Sequence, residues 1–273
     1  KYGQNDTSGE IKNEVNAVKK NRGKIVYTKG ITFSASKIIN SLSNIHSAKQ
    51  KFTLKKIKNK HTFKEIKKLF DNFKKLNVLV IGETIIDQYY FCEALGKSGK
   101  EPVLVLRDVK MEEYLGGAAA ISRHLSQFCN KITLLTMLGE KAEFLGKIRK
   151  DLPKNIELNY IKKKNAPTIL KKRFLDEVSN NKVFGVYKIN DDPLSIRDEE
   201  AFNKKLRNLL KSQQLVVVSD YGHGFISKKS SKLIRKYSKY LALNAQVNAA
   251  NIGYHSMRKY KNIDCVIVNE KEL

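Results

Sequence analysis

From Asn77 onward the chain repeats one pattern: a short apolar run, an amphipathic helical stretch, then another apolar run. The first run, Asn77-Val-Leu-Val-Ile-Gly82, shows no polar alternation and ends in glycine. A strand that is apolar on both faces must be covered on both, as strands of parallel sheets are. Runs of the same kind stand at 132–136, 215–219, 241–244 and 265–268, with helical patterns at 118–128, 141–149, 197–211 and 228–240 between them. Such alternation predicts βαβ units and hence an α/β fold with a doubly wound parallel sheet. Two stretches break it. Residues 88–92 with 103–107, and 168–175 with 182–188, read as extended strands on short connections. They predict a small β lid over one edge of the main sheet.

Upstream the texture differs. Residues 1–43 hold a helical stretch (9–20), a short strand (24–28) and the segment ITFSASKIIN. Residues 44–76 are Lys-rich, and Phe63, Ile66, Phe70, Phe73 and Leu76 recur at three- and four-residue spacing. That spacing lays one apolar stripe along a basic helix, read as an inter-domain linker helix packed on a neighbouring domain. The expected layout is therefore 1–43, 44–76 and 77–273.

Composition bounds the partners. The net charge is +26, which could indicate nucleic acid or an anionic membrane. The excess is nearly all Lys, spread along the chain among many Asn and Ile. There is no Arg-rich stripe and no interleaving of aromatic with basic residues. A solvated Lys-rich surface accounts for it, with no specific nucleic-acid partner, and its field would favour a phosphorylated substrate. No apolar run approaches a membrane span, and the first residues lack the apolar core of a signal peptide. The three cysteines, Cys92, Cys129 and Cys265, match no metal spacing and read as reduced thiols. The expectation is a cytoplasmic protein that binds no membrane.

In open α/β sheets ligands bind beyond the carboxyl ends of the strands, so residues following each apolar run are the candidates. After the first come Gly82-Glu83-Thr84-Ile85-Ile86-Asp87. The Asp87 carboxylate can accept hydrogen bonds from sugar hydroxyls, or can belong to a surface turn. Gly116-Gly117 opens a small-residue helix, where backbone approaches a ligand closely and free N–H groups attract polar oxygens. The same pair would also serve tight packing. Asp220-Tyr221-Gly222-His223-Gly224 places a carboxylate and an imidazole at one strand end. In Asn244-Ala-Gln-Val-Asn248-Ala-Ala-Asn251-Ile-Gly-Tyr-His255, four amides among small residues suit a polar pocket lining, with Asn248 and Asn251 as candidate substrate contacts. They also suit helix and turn caps. Lys171 and Arg173 share one face of an extended segment. On the inner face of a lid they could hold a substrate phosphate; on the outer face they would be solvated.

The segments VLVIGETIIDQYY, EYLGGAAAISRHLS, PTILKKRFL, VVVSDYGHGFIS and VNEKEL, in this order, resemble the PfkB/ribokinase family of carbohydrate kinases. The resemblance is greatest to heptose-phosphate kinases fused to a nucleotidyltransferase that makes nucleotide-activated heptose. It implies an ATP-dependent sugar kinase, with ATP as co-substrate and Mg²⁺ as cofactor. It implies that Asp87, Gly116 and Gly117 contact the sugar and that Lys171 and Arg173 lie near its phosphate. Asp220 would lie near the phosphoryl-transfer centre, and Asn269 and Glu272, in an N-x-x-E element, would organise Mg²⁺ and phosphate. The lid is also a candidate surface for a homodimer. DTSGEIKNEV, GKIVYT and ITFSASKIIN resemble the last part of a cytidylyltransferase-like domain, in which Ser34 and Ser36 would face nucleotide phosphates. Short hydroxyls there would equally serve as plain N-caps.

The sequence also departs from the family. Ala120 stands where many relatives have Asn, and NAQVNAANIGYH replaces a short Asp-Pro-Lys element. The family's Gly-Ala-Gly-Asp signature, which supplies the catalytic base, would lie beyond Leu273. The expectation is a kinase-domain fragment inactive by itself, cut at both ends. The alternative is a sugar-phosphate-binding module derived from a kinase.

Overall fold

The structure, a computed structural model, describes residues 11–25, 46–246 and 257–270. The chain divides into two compact units, Lys1–Ile66 and Lys67–Leu273. In the first unit, helix α1 (Ile11–Lys20) matches the predicted helical stretch, and α2 (Ala48–Lys60) follows. The expected strand at 24–28 lies largely outside the described residues. The single linker helix is corrected to two, because the chain breaks at His61-Thr62 before α3 (Phe63–Phe73). Thr62 and Glu65 form a reciprocal cap: the Glu65 N–H donates to Thr62 Oγ1 at 3.2 Å, and the Thr62 N–H donates to Glu65 Oε2 at 2.7 Å. A cap of this kind starts a new helix. Within the second unit, Phe70 of the stripe packs on Phe128 with ring centroids 5.9 Å apart.

The main sheet has the order β10-β9-β8-β1-β4-β5, every pair parallel. Its strands are β1 (Asn77–Gly82), β4 (Lys131–Gly139), β5 (Ile156–Lys163), β8 (Leu215–Asp220), β9 (Leu241–Ala245) and β10 (Cys265–Val266). Strand β5 was not foreseen. It lies at the sheet edge, and its mixed Ile-Glu-Leu-Asn-Tyr-Ile-Lys-Lys sequence carries no continuous apolar run. In β1 the pleat sends Val78 and Val80 into one core and Leu79 and Ile81 into the other. The first core is closed by α4 (Gly117–Leu125) and α5 (Leu145–Asp151), through Ala118, Ala119 and Ile148. The second is closed by α6 (Ile196–Leu210) and α7 (Lys228–Tyr237), through Phe202, Leu206, Leu210 and Ile234. Helices on both faces of a parallel sheet make the predicted doubly wound architecture.

The lid is a second sheet of order β3-β2-β6-β7. Its strands are β2 (Thr84–Lys97), β3 (Leu104–Gly116), β6 (Ile169–Asp176) and β7 (Lys182–Lys188). The long β2–β3 hairpin extends well past the segments 88–92 and 103–107. One face of the lid stacks Tyr90 on Phe174 and Phe174 on Phe184, at 4.9 and 4.3 Å between centroids.

At Gly82 strand β1 has no room for a side chain against β8. A Cβ there would lie 2.0 Å from the Ser219 carbonyl oxygen. Gly82→Ala should therefore force the two central strands apart and lower stability by about 1–3 kcal/mol. An unchanged melting midpoint would show that the strands tolerate a methyl group here.

Candidate active site at the carboxyl ends of β1 and β8

The chain builds the sheet from β1 to β4 and β5 on one side, then returns to β8, β9 and β10 on the other. A crevice opens where such an order reverses. Glu83 follows β1 there and is wholly buried. Its Oε2 accepts the Tyr221 N–H at 2.9 Å and its Oε1 the His223 N–H at 3.1 Å. Burial, reinforced by the Asp220 charge, raises its pKa to about 7. Asp220 ends β8 and is 1% exposed. Its Oδ1 accepts the Gly222 N–H at 3.0 Å. Its Oδ2 accepts the Tyr260 hydroxyl at 2.7 Å and faces Lys259 Nζ at 2.6 Å. Burial and the adjacent Asp220 hold the Tyr260 phenol well above its ordinary pKa.

Strand pairing carries the other side of the site. β2 and β6 run parallel, with Asp87 opposite Lys171 and Tyr89 opposite Arg173. Asp87 forms an ion pair with Arg173. Lys171 is 6% exposed, and burial lowers its pKa although Asp87 acts in the opposite sense. Lys171 Nζ lies 5.6 Å from the Tyr187 ring centroid, and the Arg173 guanidinium 5.4 Å from that of Tyr89. The two cations therefore share a partly buried face with Asp87 rather than a solvated one. A Cβ on Gly116 would lie 2.1 Å from Asp87 Oδ2, so the glycine leaves room for that carboxylate.

A third cluster supports the turn after β8. His223 is fully buried, with Nδ1 2.6 Å from Asp191 Oδ1. Burial holds the imidazole below its ordinary pKa, and the charges of Lys171 and Lys163 act in the same sense. A neutral ring then donates Nδ1–H to Asp191. Lys163 Nζ donates to the carbonyls of Asn190 and His223 at 2.7 and 3.1 Å. Among the described residues, the buried side-chain polar atoms without a partner are Ser219 Oγ and His223 Nε2, on either side of Asp220.

No protein-family model matches the chain. Curated relatives do. The bifunctional protein HldE of Wolinella succinogenes is 30% identical over 199 residues, covering 71% of this chain and 40% of that protein. HldE of Nitratiruptor sp. is 25% identical over 198 residues, covering 72% and 41%. The chain thus spans about two fifths of the length of the curated relatives it matches. Among solved structures, one described as a possible 1-phosphofructokinase of Thermotoga maritima superposes with TM-score 0.54 at 15% identity, covering 71% of this chain and 61% of that one. Phosphofructokinase-2 of Escherichia coli in complex with potassium gives 0.52 at 14%, covering 72% and 61%. At such identities the structures speak to the fold alone. Over about seven tenths of its length the chain is thus a homologue of these HldE proteins, and its fold is that of the PfkB-type sugar kinases.

In this PfkB-type domain the structure brings Asp87, Gly116, Lys171 and Arg173 together on the lid face. Gly117 adjoins Glu83, and Asp220 stands at the end of β8 with Glu83 within its electrostatic reach. Asn269 is exposed just after β10. Its amide oxygen is a hard donor of the class Mg²⁺ takes. Glu272, Asn248, Asn251, Ser34 and Ser36 lie outside the described residues. Sequence reasoning missed Glu83, Lys163, Asp191, Lys259 and Tyr260 as parts of the site. Glu83 had a usable signal, since it stands immediately after an apolar run, at the position the crevice rule selects. Lys259 and Tyr260 follow the amide-rich segment, far from Asp220 in sequence, and had none.

Tyr260→Phe removes one donor from a buried carboxylate. It should destabilise the fold by about 1–3 kcal/mol in chemical denaturation. An unchanged midpoint would mean that Lys259 and Gly222 satisfy Asp220 without it.

Proposed function

We propose that the protein to which this chain belongs phosphorylates a sugar phosphate, a heptose phosphate in the first instance, using ATP with Mg²⁺. The observation that carries this reading is the lid face. Asp87 stands beside Lys171 and Arg173, at the edge of the crevice beyond β1 and β8. A carboxylate suits sugar hydroxyls, and two cations, one an Arg fork, suit a phosphate. Phosphoryl transfer depends chiefly on positioning and charge stabilisation, and this domain's contribution would be to hold the acceptor. Asn269 and Glu272 are the proposed organisers of Mg²⁺, which when bound would neutralise charge on the transferred group. Residues 1–43 are proposed as part of a nucleotidyltransferase-like domain, with Ser34 and Ser36 at its phosphates, and 44–76 as the connection. This would place the protein in nucleotide-sugar synthesis in the cytoplasm. Among the described residues no helix is long and apolar enough to cross a membrane. The exposed side chains of Met111, Phe184 and Val186 on the lid favour a homodimer through that sheet.

A second reading, sugar-phosphate binding without transfer, is favoured by one observation. Asp220 is already engaged by Tyr260, Lys259 and Gly222. Turnover by the full-length protein separates the two.

Full-length protein with ATP, Mg²⁺ and a heptose phosphate should release ADP in step with sugar bisphosphate. No phosphorylation of any sugar phosphate would leave only the binding reading. Asp87→Ala should abolish sugar-phosphate binding in calorimetry, and unchanged affinity would remove Asp87 from the site. Lys171→Met should weaken binding of the phosphorylated sugar by about tenfold or more and leave the unphosphorylated sugar unaffected. Equal losses for both sugars would place the phosphate elsewhere.

A further inference from the structure

We propose that Glu83 is a positioning residue that holds the Gly116-Gly117 pair and the Asp220–Gly224 turn in register with each other. It does so from both ends. Its backbone carbonyl accepts the Ala118 N–H at 2.9 Å, at the start of α4. Gly117 has φ of 59°, and a Cβ there would lie 2.2 Å from the same carbonyl, so only glycine fits against it. Its carboxylate accepts the N–H groups of Tyr221 and His223, one on each oxygen. The neighbouring Thr84 N–H donates to Thr136 Oγ1 at 2.8 Å, which ties the same stretch to β4. One residue thus joins the β1 end, the glycine pair and the turn that carries Asp220.

The chemistry explains why a carboxylate stands here. Two backbone donors converge on two different oxygens, and an ionised carboxylate accepts on both. An amide keeps one acceptor and turns a donor towards the other N–H. A protonated carboxyl group carries a hydrogen on one oxygen, which leaves that oxygen a weaker acceptor. The groups acting on Glu83 are Asp220, whose charge favours its protonated form, the Tyr221 N–H, which favours the ionised one, and Lys259, Lys163 and Lys171, whose charges also favour the ionised one. With burial, the balance puts its titration at about pH 7. Folding raises this pKa from 4.5, so the associated stability is fully present below about 4.5 and is lost as pH rises through about 7. The two-bond grip runs the other way and tightens as pH rises through the same range. Activity and stability then move oppositely across pH 7.

The activity readout rests on the sugar-phosphate kinase reading, whereas the backbone readout does not. In the full-length protein, Glu83→Gln should fold but exchange the Tyr221 and His223 amides faster than wild type. With fructose 6-phosphate and a heptose phosphate as probes, kcat/KM of the phosphorylated sugar should fall by about a hundredfold. The acidic limb near pH 7 in the wild-type rate profile should vanish in the variant. Wild-type amide exchange together with an unshifted pH limb in Glu83→Gln would overturn the proposal. If that variant does not fold, the wild-type protein decides the matter through its Tyr221 and His223 amide resonances. Strong protection of both amides against hydrogen exchange supports the proposal, and exchange as fast as that of an exposed loop overturns it. If wild type phosphorylates neither probe, the kinase reading fails for them, and the exchange comparison still tests Glu83.

Discussion

The end of strand β1 can lie against β8 as closely as it does because Gly82 has no Cβ to meet the Ser219 carbonyl. That contact fixes the ends of β1 and β8 level with each other, Gly82 pairing with Ser219. The level ends place Glu83 and Asp220 side by side where the strand order reverses. The buried polar groups around that crevice hang from this juxtaposition. The turn after β8 is held by Glu83, and the chain at 259–260 is held by Asp220. The lid begins two residues after Gly82, so it leaves the main sheet at the same junction.

The charges at the site are arranged for position more than for stability. Two carboxylates, two lysines, a histidine and a tyrosine are buried around one strand end. Burial alone disfavours each charged form, as the raised Glu83 pKa and the lowered Lys163 and Lys171 pKa values show. A hydrophobic filling of the same volume would typically be as stable or more so. What the polar set gives instead is a fixed turn and a lid face with positive charge beside one carboxylate. Such fixed groups stabilise developing charge without reorganising.

Much of this was legible in the sequence, for identifiable reasons. Strand β1 was found to the residue because a fully buried strand leaves an uninterrupted apolar run. Helices α6 and α7 were found nearly whole because each carries a helical pattern whose apolar face, Phe202, Leu206 and Leu210 in one and Ile234 in the other, is buried on the sheet. Strand β5 was hidden because an edge position relaxes the need for apolar residues on both faces. The break at His61-Thr62 was hidden because Lys-rich sequence on both sides of it is helical, and only the Thr62–Glu65 cap separates the pieces. In the site, Asp87 was chosen for its place after the first apolar run and Lys171 and Arg173 from alternation along a strand, and the strand pairing shows all three on one face. The partners of Asp220 could not be read, because contact across forty residues leaves no local pattern.

The central claim is that one crevice, bounded by the ends of β1 and β8 and by the lid, receives a sugar phosphate. A crystal structure of the full-length protein with a bound sugar phosphate tests it most directly. The account predicts sugar hydroxyls on Asp87, phosphate oxygens on Lys171 and Arg173, and backbone contact at Gly116-Gly117. A sugar phosphate seated instead in the basic cavity lined by Lys228, Arg235, Arg258 and Lys261, with the lid face empty, would contradict it.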